Sequence, residues 1–323
     1  MTNQQSLLEV EDLKTYYPIK GGILNRTKAN VKAVNDVSLE VYEGETLGIV
    51  GESGCGKSTL GRTLLGLEKK TGGTIHFRGE DIGDLSEKKL KKYKKDMQMI
   101  FQDPFASLNP RQKIGNALEE IFIIHTSLSK SERKERVRKL LTEVGLKEEH
   151  YDRFPHEFSG GQRQRIGIAR AIALNPSLIV CDEAVSALDV SVQAQIITLL
   201  KELQAKYHLT YLFISHDLGV VRHISDRVLV MYLGKTVELG TTEQIYNNAL
   251  HPYTKALLSS IPRPIPGRKR ERIKLQGDLP SASNYPTGCP FHTRCPIATA
   301  QCKEVVPEWR EMEAGHFVAC HEI

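Results

Sequence analysis

The sequence predicts an α/β fold in which parallel strands are covered by helices. Two observations carry this. TLGIV (46–50), LIVCD (178–182) and TYLFIS (210–215) are short, nearly continuous apolar runs, as expected of strands buried on both faces. Each leads into a helix-forming segment, and the first does so through a glycine-rich turn at 51–58, so strands and helices alternate in layers. Taken in order, LLEVEDLKTYY (7–17) and VKAVNDVSLEVYEG (31–44) read as more amphipathic strands that precede the first buried one. A helical block occupies about 110–150, and RVLVMYLGKTVELG (227–240) reads as a further amphipathic strand candidate. No internal repeat or low-complexity tract interrupts this pattern.

Composition narrows the class of protein. The chain has 323 residues, 40% hydrophobic and 26% charged, with a net charge of +5. These proportions suit an ordinary soluble domain and exclude collagen-like, disordered and disulfide-scaffold classes. The length suggests two domains, or one with an appendage. No run reaches the roughly 18 consecutive apolar residues of a membrane helix. The opening MTNQQSLLEVEDL lacks the basic and apolar regions of a secretory leader, so a cytosolic setting is expected. The mild charge excess does not suit a dedicated nucleic-acid binder. Of the basic clusters, EKKLKKYKK (87–95) and KSERKERVRK (130–139) read as solvated helix faces, while RKRERIK (268–274) is a candidate contact for a partner or lipid headgroups.

Composition also shifts along the chain. Nine of the 14 prolines follow residue 250, and four of the 6 cysteines fall in the last 35 residues. IPRPIPG (261–267) therefore reads as a linker between a main domain and a cysteine-rich tail.

Gly51-Glu52-Ser53-Gly54-Cys55-Gly56-Lys57-Ser58 matches G-x-x-x-x-G-K-[ST] and lies where that motif belongs, between a strand and the helix-like STLGRTLLGL. Its glycines let backbone N–H groups turn inward around phosphates, and the following helix offers them its positive end. Lys57 is expected to reach the β- and γ-phosphates and Ser58 to bind Mg²⁺. The strand Leu178-Ile179-Val180-Cys181-Asp182 ends in two acids: Asp182 suits the Mg²⁺ shell, and Glu183 is placed to polarise an attacking water. Ser159-Gly160-Gly161-Gln162 precedes the helical RQRIGIARAIAL and forms a second phosphate-attracting helix start, over a hundred residues from the first.

This order of motifs resembles the ATPase subunit of an ABC transporter. FSGGQ resembles the family's LSGGQ signature, with Phe158 keeping the leading position apolar. Gln102 in MIFQDP resembles the Q-loop glutamine, Ser186-Ala187-Leu188-Asp189 the D-loop, and His216 in FISHD the switch histidine. Tyr17 resembles the aromatic that stacks on adenine, with Tyr16 as the alternative. The resemblance implies a P-loop NTPase of ABC type: a RecA-like core, an antiparallel β subdomain and a helical subdomain at about 103–157, all within 1–260, followed by a Pro- and Cys-rich domain at 261–323. It also implies a head-to-tail pair of ATPase domains. Gly51, Ser53, Gly54, Cys55, Gly56, Lys57, Ser58, Thr59, Gln102, Asp182, Glu183 and His216 would serve one ATP, with Ser58, Gln102 and Asp182 around Mg²⁺. Ser159, Gly160, Gly161 and Gln162 would serve the ATP held by the other chain, and Asp189 would lie in the D-loop.

Lacking membrane segments, such an ATPase needs separate membrane subunits, an arrangement similar to importers. The competing class is the soluble ABC ATPases of repair, chromosome structure, regulation or translation, which carry long coiled coils or paired cassettes absent here. GESGCGKSTLGRTLLGL (51–67), FQDPFASLNPR (101–111) and HPYTKALLSSIP (251–262) resemble the oligopeptide/dipeptide importers, in particular the F-type subunit of a D/F pair. That implies a paralogous D-type ATPase, two transmembrane permeases, an extracytoplasmic solute-binding protein, no nucleic acid, and a place on the cytoplasmic face of the cell membrane. Nickel or another small solute is the alternative cargo.

Cys289, Cys295, Cys302 and Cys320 give C-x5-C-x6-C-x17-C. In a cytosolic protein structural disulfides are disfavoured, which leaves metal binding or free thiols, and four thiolates suit either zinc or an iron–sulfur cluster, although spacings other than C-x2-C weaken a zinc ribbon. Resemblance to peptide-importer tails implies a [4Fe–4S] cluster, with zinc and no metal as alternatives. His292, His316 and His321 are read as bystanders, and Cys181 as a small core residue.

Overall fold

The computed structural model describes residues 5–21, 26–103, 108–261, 273–275, 277, 278 and 280–323. Nearly all of the expected linker at 261–267, most of the basic cluster at 268–274 and part of the segment 101–111 lie outside these residues. The chain divides into two compact units, one of Met1–Tyr42, Thr46–Asp84 and Ser215–Ile323, the other of Glu43–Glu45 and Leu85–Ile214.

In the first unit an antiparallel sheet follows the order Arg26–Tyr42, Ser6–Gly21, Gly72–Phe77, Glu80–Asp81. Its two long strands are the amphipathic segments read from sequence. Leu8, Val10, Leu13, Val34, Val37, Leu39 and Val41 are buried, while Glu9, Glu11 and Glu40 alternate with them. Register shifts along the pair mark bulges that bend it, one of them at Asp12, whose φ is 47°.

The same unit holds the strand Thr46–Val50, buried throughout, which pairs in parallel with Arg227–Tyr232. Arg227–Tyr232 continues antiparallel into Lys235–Thr241. The segment 227–240 is thus a hairpin rather than one strand. Leu233 (φ 47°) and Gly234 (φ 79°) form the two-residue turn, a left-handed pair that matches strand twist. The C-terminal hairpin Trp309–Glu313 and His316–Ala319 adds to Lys235–Thr241 through Glu238↔Val318 and Leu239↔Phe317. Behind that pairing, the fully buried Glu238 and His316 meet at 2.9 Å. Phe291 packs against Tyr232, Tyr253 and His251 with ring centroids 5.2–5.6 Å apart, so residues near the end of the chain complete this unit's core.

The second unit is built on parallel strands in the order Thr210–Ile214, Leu178–Asp182, Met97–Ile100. Leu178–Asp182 and Thr210–Ile214 are buried at every position, as their uninterrupted apolar sequence requires. Helices Ile114–His125, Lys130–Glu143, Gly160–Ile172 and Val190–Tyr207 accompany them. Lys130–Glu143 begins in a capping box between Ser129 and Glu132 and buries Val137, Leu140 and Leu141, leaving its lysines and arginines largely exposed. No helix among the described residues is long and apolar enough to cross a membrane.

Candidate nucleotide site

The phosphate-loop motif forms the turn between Thr46–Val50 and the helix Lys57–Leu64. Two of its glycines are required by space as well as by φ. A Cβ on Gly56 (φ 102°) would stand 1.9 Å from the Ala33 carbonyl oxygen, and one on Gly51 (φ 153°) 2.2 Å from that of Met231. Lys57 is buried, and its ammonium donates to the carbonyls of Gly51 (2.8 Å) and Glu52 (2.9 Å), curling the loop around the charge. Gly56, at the N-cap, offers no side-chain acceptor, and the first turn carries no acid. The helix amides there are not claimed by a side-chain cap, the condition an anion site needs. Ser53 and Gly54 are exposed; Gly56, Ser58 and Thr59 are half-buried. Cys55 is buried, and that burial pushes its thiol up. A loop that wraps one lysine and leads into a helix start without a side-chain cap fits a triphosphate.

Tyr16 and Tyr17 part company in the structure. The Tyr16 hydroxyl donates to Asn35 Oδ1 at 2.5 Å, which commits that ring to the sheet. Tyr17 remains 38% exposed, beside Glu68, Thr59 and Arg62 at the helix that follows the phosphate loop. His216 is exposed. It is held between Ser215, whose N–H donates to the Ile49 carbonyl at 3.1 Å, and Asp217, whose carboxylate caps the helix Leu218–Ile224. Ile49 lies two residues before the phosphate loop. The histidine's backbone is therefore tied to the strand that delivers the loop.

The second unit holds the remaining residues. Asp182 ends its strand and is buried; Glu183 follows at φ 48°, a left-handed turn that sends its carboxylate away from the strand line. The Gln102 amide donates to Glu183 Oε2 at 2.9 Å. The Ser186 N–H and hydroxyl both return to the Glu183 carbonyl. Asp189 then caps the helix Val190–Tyr207. The Ser191 hydroxyl and the Val192 N–H both donate to its Oδ1 and hold its carboxyl below the usual range.

One contributor escaped the sequence reading. Gln193 donates to the carbonyls of Val185 (3.0 Å) and Leu188 (3.1 Å), pinning the turn between Glu183 and Asp189. The available signal was its position one turn into a helix capped by Asp189, from which a side chain leans back towards the N-terminus.

Ser159 and Gln162 form a reciprocal capping box: the Gln162 N–H donates to Ser159 Oγ (3.3 Å) and the Ser159 N–H to Gln162 Oε1 (3.0 Å). Gly160 and Gly161 occupy the first turn between them. A Cβ on Gly161 would meet Val192 at 2.6 Å, so the helix start packs closely on the one capped by Asp189. Phe158 is buried edge-on against His150, which explains why an apolar residue is needed there.

The metal expected on Cys289, Cys295, Cys302 and Cys320 is a correction. Among the described residues, which include all four cysteines, no group of three or more His, Cys, Asp or Glu side chains is arranged to hold a metal ion. Neither the [4Fe–4S] cluster nor zinc is supported. The physical reason is arrangement: a metal needs three or more such side chains converging on one point, and these cysteines are not part of any such group. Burial pushes the Cys289 thiol up to about 11 and raises Cys295 and Cys320. Cys302 Sγ instead lies 3.5 Å from the Thr299 hydroxyl, and the Cys289 N–H donates to the Cys302 carbonyl. His292 and His321 engage the backbone carbonyls of Cys289 and Val305, and His316 engages Glu238.

Fold and site together define an ATPase of ABC type. The ABC transporter family pattern matches residues 34–186, and that of the oligopeptide/dipeptide transporter C-terminal region matches 237–302. Among curated proteins, the oligopeptide transport ATP-binding protein AppF of Bacillus subtilis (strain 168) is 59% identical over 322 residues, covering 99% of this chain and 98% of that protein. The dipeptide transport ATP-binding protein DppF of Escherichia coli (strain K12) is 52% identical over 324 residues, covering 100% and 96%. Among solved structures, a dimeric ATP-binding cassette in a post-hydrolysis state bound to ADP and Pi superposes with a TM-score of 0.65 at 29% identity, covering 73% of this chain and 98% of that one. The chain belongs to the oligopeptide/dipeptide transport ATP-binding proteins of the ABC transporter family.

Proposed function

We propose that this chain hydrolyses ATP to drive the import of di- or oligopeptides through separate membrane subunits. The observation that carries the reading is similarity along the whole chain, including the C-terminal region at 237–302, to proteins named for oligopeptide and dipeptide transport. A phosphate loop alone speaks only of a nucleotide.

In this reading Gly51–Thr59 bind the phosphates through backbone amides and Lys57, and Tyr17 stacks on adenine. Ser58, Gln102 and Asp182 hold Mg²⁺, which neutralises phosphate charge when bound. Glu183 takes the proton of the attacking water, and His216 contacts the γ-phosphate. Ser159, Gly160, Gly161 and Gln162 face the nucleotide of a second ATPase chain, with Asp189 in the turn beside them. ATP binding closes that pair, and loss of the γ-phosphate opens it. The second chain is a D-type paralogue, the membrane part is two permeases fed by an extracytoplasmic binding protein, and the complex sits at the cytoplasmic face of the membrane. Within the chain, 1–260 is the ATPase domain, with a helical subdomain at about 103–157, and 261–323 is an appendage of peptide-importer type.

Uptake of labelled di- and oligopeptides in cells whose only copy carries Lys57→Ala tests the reading. Loss of uptake is expected. Undiminished peptide uptake, with no second peptide system present, would overturn it.

A further inference from the structure

Glu52 is the only carboxylate in the octapeptide Gly51–Ser58, and nothing in the motif requires it. Yet it is held at its carbonyl, its N–H and its carboxylate. Its carbonyl accepts from Lys57, and its N–H is bonded to the Tyr253 hydroxyl at 2.8 Å. Its carboxylate receives both terminal nitrogens of Arg294, at 2.6 and 3.1 Å. The Arg294 side chain is only 9% exposed. It lies over the Tyr232 ring at 6.0 Å, and the backbone N–H of Arg294 donates to the Phe291 carbonyl in the turn that carries Phe291 into the core. A planar guanidinium that is buried, stacked and bound through two nitrogens has little freedom to let go.

A second contact runs from the same part of the chain towards the loop. The Lys32 N–H donates to the Ala282 carbonyl at 3.1 Å, and the carbonyl of the next residue, Ala33, is the atom that closes on Gly56. The C-terminal segment therefore reaches both ends of the glycine-rich turn.

We propose that Arg294 is a positioning residue for the nucleotide site: by gripping Glu52 through two nitrogens it fixes the phosphate loop and cancels the loop's only carboxylate, so that the C-terminal segment sets the affinity for ATP. The inference rests on the assignment of Gly51–Thr59 to ATP. Without Arg294, a bare carboxylate stands beside the incoming triphosphate, and a loop rich in glycine loses its anchor; both effects oppose binding more than chemistry.

Steady-state ATPase assays on the full chain in its transporter complex provide the test, with thermal melting as a check on folding. Arg294→Gln is expected to raise KM for ATP about tenfold with kcat within about twofold. Glu52→Gln removes the repelling charge, so the double variant Glu52→Gln/Arg294→Gln is expected to return KM to within about threefold of the parent. Should Arg294→Gln melt early, Arg294→Lys keeps the charge, loses the two-nitrogen grip, and is expected to give an intermediate KM. An unchanged KM in Arg294→Gln, or a KM equally raised in the double variant, would overturn the proposal. Lys57→Ala, run beside these, separates the two readings. If it alone abolishes ATP binding while the Arg294 variants do nothing, the ATP assignment stands and the role of Arg294 falls.

Discussion

The side-chain amide of Gln102 donates to the Glu183 carboxylate across 2.9 Å, joining residues 81 positions apart. This contact orients one oxygen of the carboxylate. It also connects the acid to the segment that follows strand Met97–Ile100.

Glu183→Gln separates geometry from chemistry at this point. A glutamine there still accepts from Gln102 through its carbonyl oxygen, so the contact and the left-handed turn at position 183 are preserved. What it loses is the capacity to take a proton from water. We expect ATP binding within about twofold of the parent and turnover reduced by about 10²-fold or more, measured as nucleotide affinity and phosphate release on the same preparation. Near-normal phosphate release would remove Glu183 from the reaction.

Ser159 caps a helix and, in the proposed reading, faces a partner's nucleotide, and substitution can pull the two apart. As the N-cap of Gly160–Ile172 it stabilises the helix, and Ser159→Ala is expected to cost about 1 kcal/mol, lowering Tm by about 2 °C. Ser159→Asp keeps a capping oxygen, so Tm should hold within about 1 °C. It also places a negative charge where a partner's γ-phosphate would dock, and ATPase activity is expected to fall at least about tenfold. Equal activity in Ser159→Asp and the parent would detach this helix start from the nucleotide.

The glycines of the phosphate loop make a graded series. Gly54 has φ 78° but open space where a Cβ would go, whereas Gly56 has both a positive φ and the Ala33 carbonyl 1.9 Å away. Gly54→Ala should therefore cost only the left-handed penalty of about 1–2 kcal/mol. Gly56→Ala must displace backbone as well, and is expected to abolish ATP binding while lowering Tm further. Isothermal titration with ATP and a melting curve on each variant check the order; Gly56→Ala binding as well as Gly54→Ala would contradict it.

What the sequence made legible follows from how local each signal is. The phosphate loop, the Asp182–Glu183 strand end and the Ser159 helix start are contiguous motifs whose chemistry is dictated over a few residues. The parallel strands announced themselves because burial on both faces leaves no polar position. Arg294 gave no such signal, since its partner Glu52 is 242 positions away and neither residue breaks a local pattern. The hairpin at 227–240 was hidden because Leu233, not a glycine or asparagine, takes the first left-handed position of its turn. The cysteine spacing misled for a related reason. Spacing states which thiols are present but not whether their side chains converge, and among the described residues no group of three or more is arranged to hold a metal.

His251 supplies a pH dependence that lies outside the nucleotide motifs. It is 1% exposed, caps the helix Pro252–Ser259 by accepting from the Tyr253 N–H at Nδ1, and has its pKa lowered to about 4 by burial, against the opposing pull of Glu238. The folded state thus keeps His251 neutral where the unfolded chain, titrating near 6.5, takes up a proton. Between about pH 6.5 and pH 4 the unfolded state binds more protons, so stability falls as pH drops through that window. The loss is on the order of 3 kcal/mol by pH 4. His251→Asn retains a capping oxygen for the Tyr253 N–H but has nothing to titrate. Urea unfolding at pH 7.0 and 4.5 is expected to show a smaller acid-induced loss in His251→Asn than in the parent chain. An identical loss in both would place the acid sensitivity in other groups.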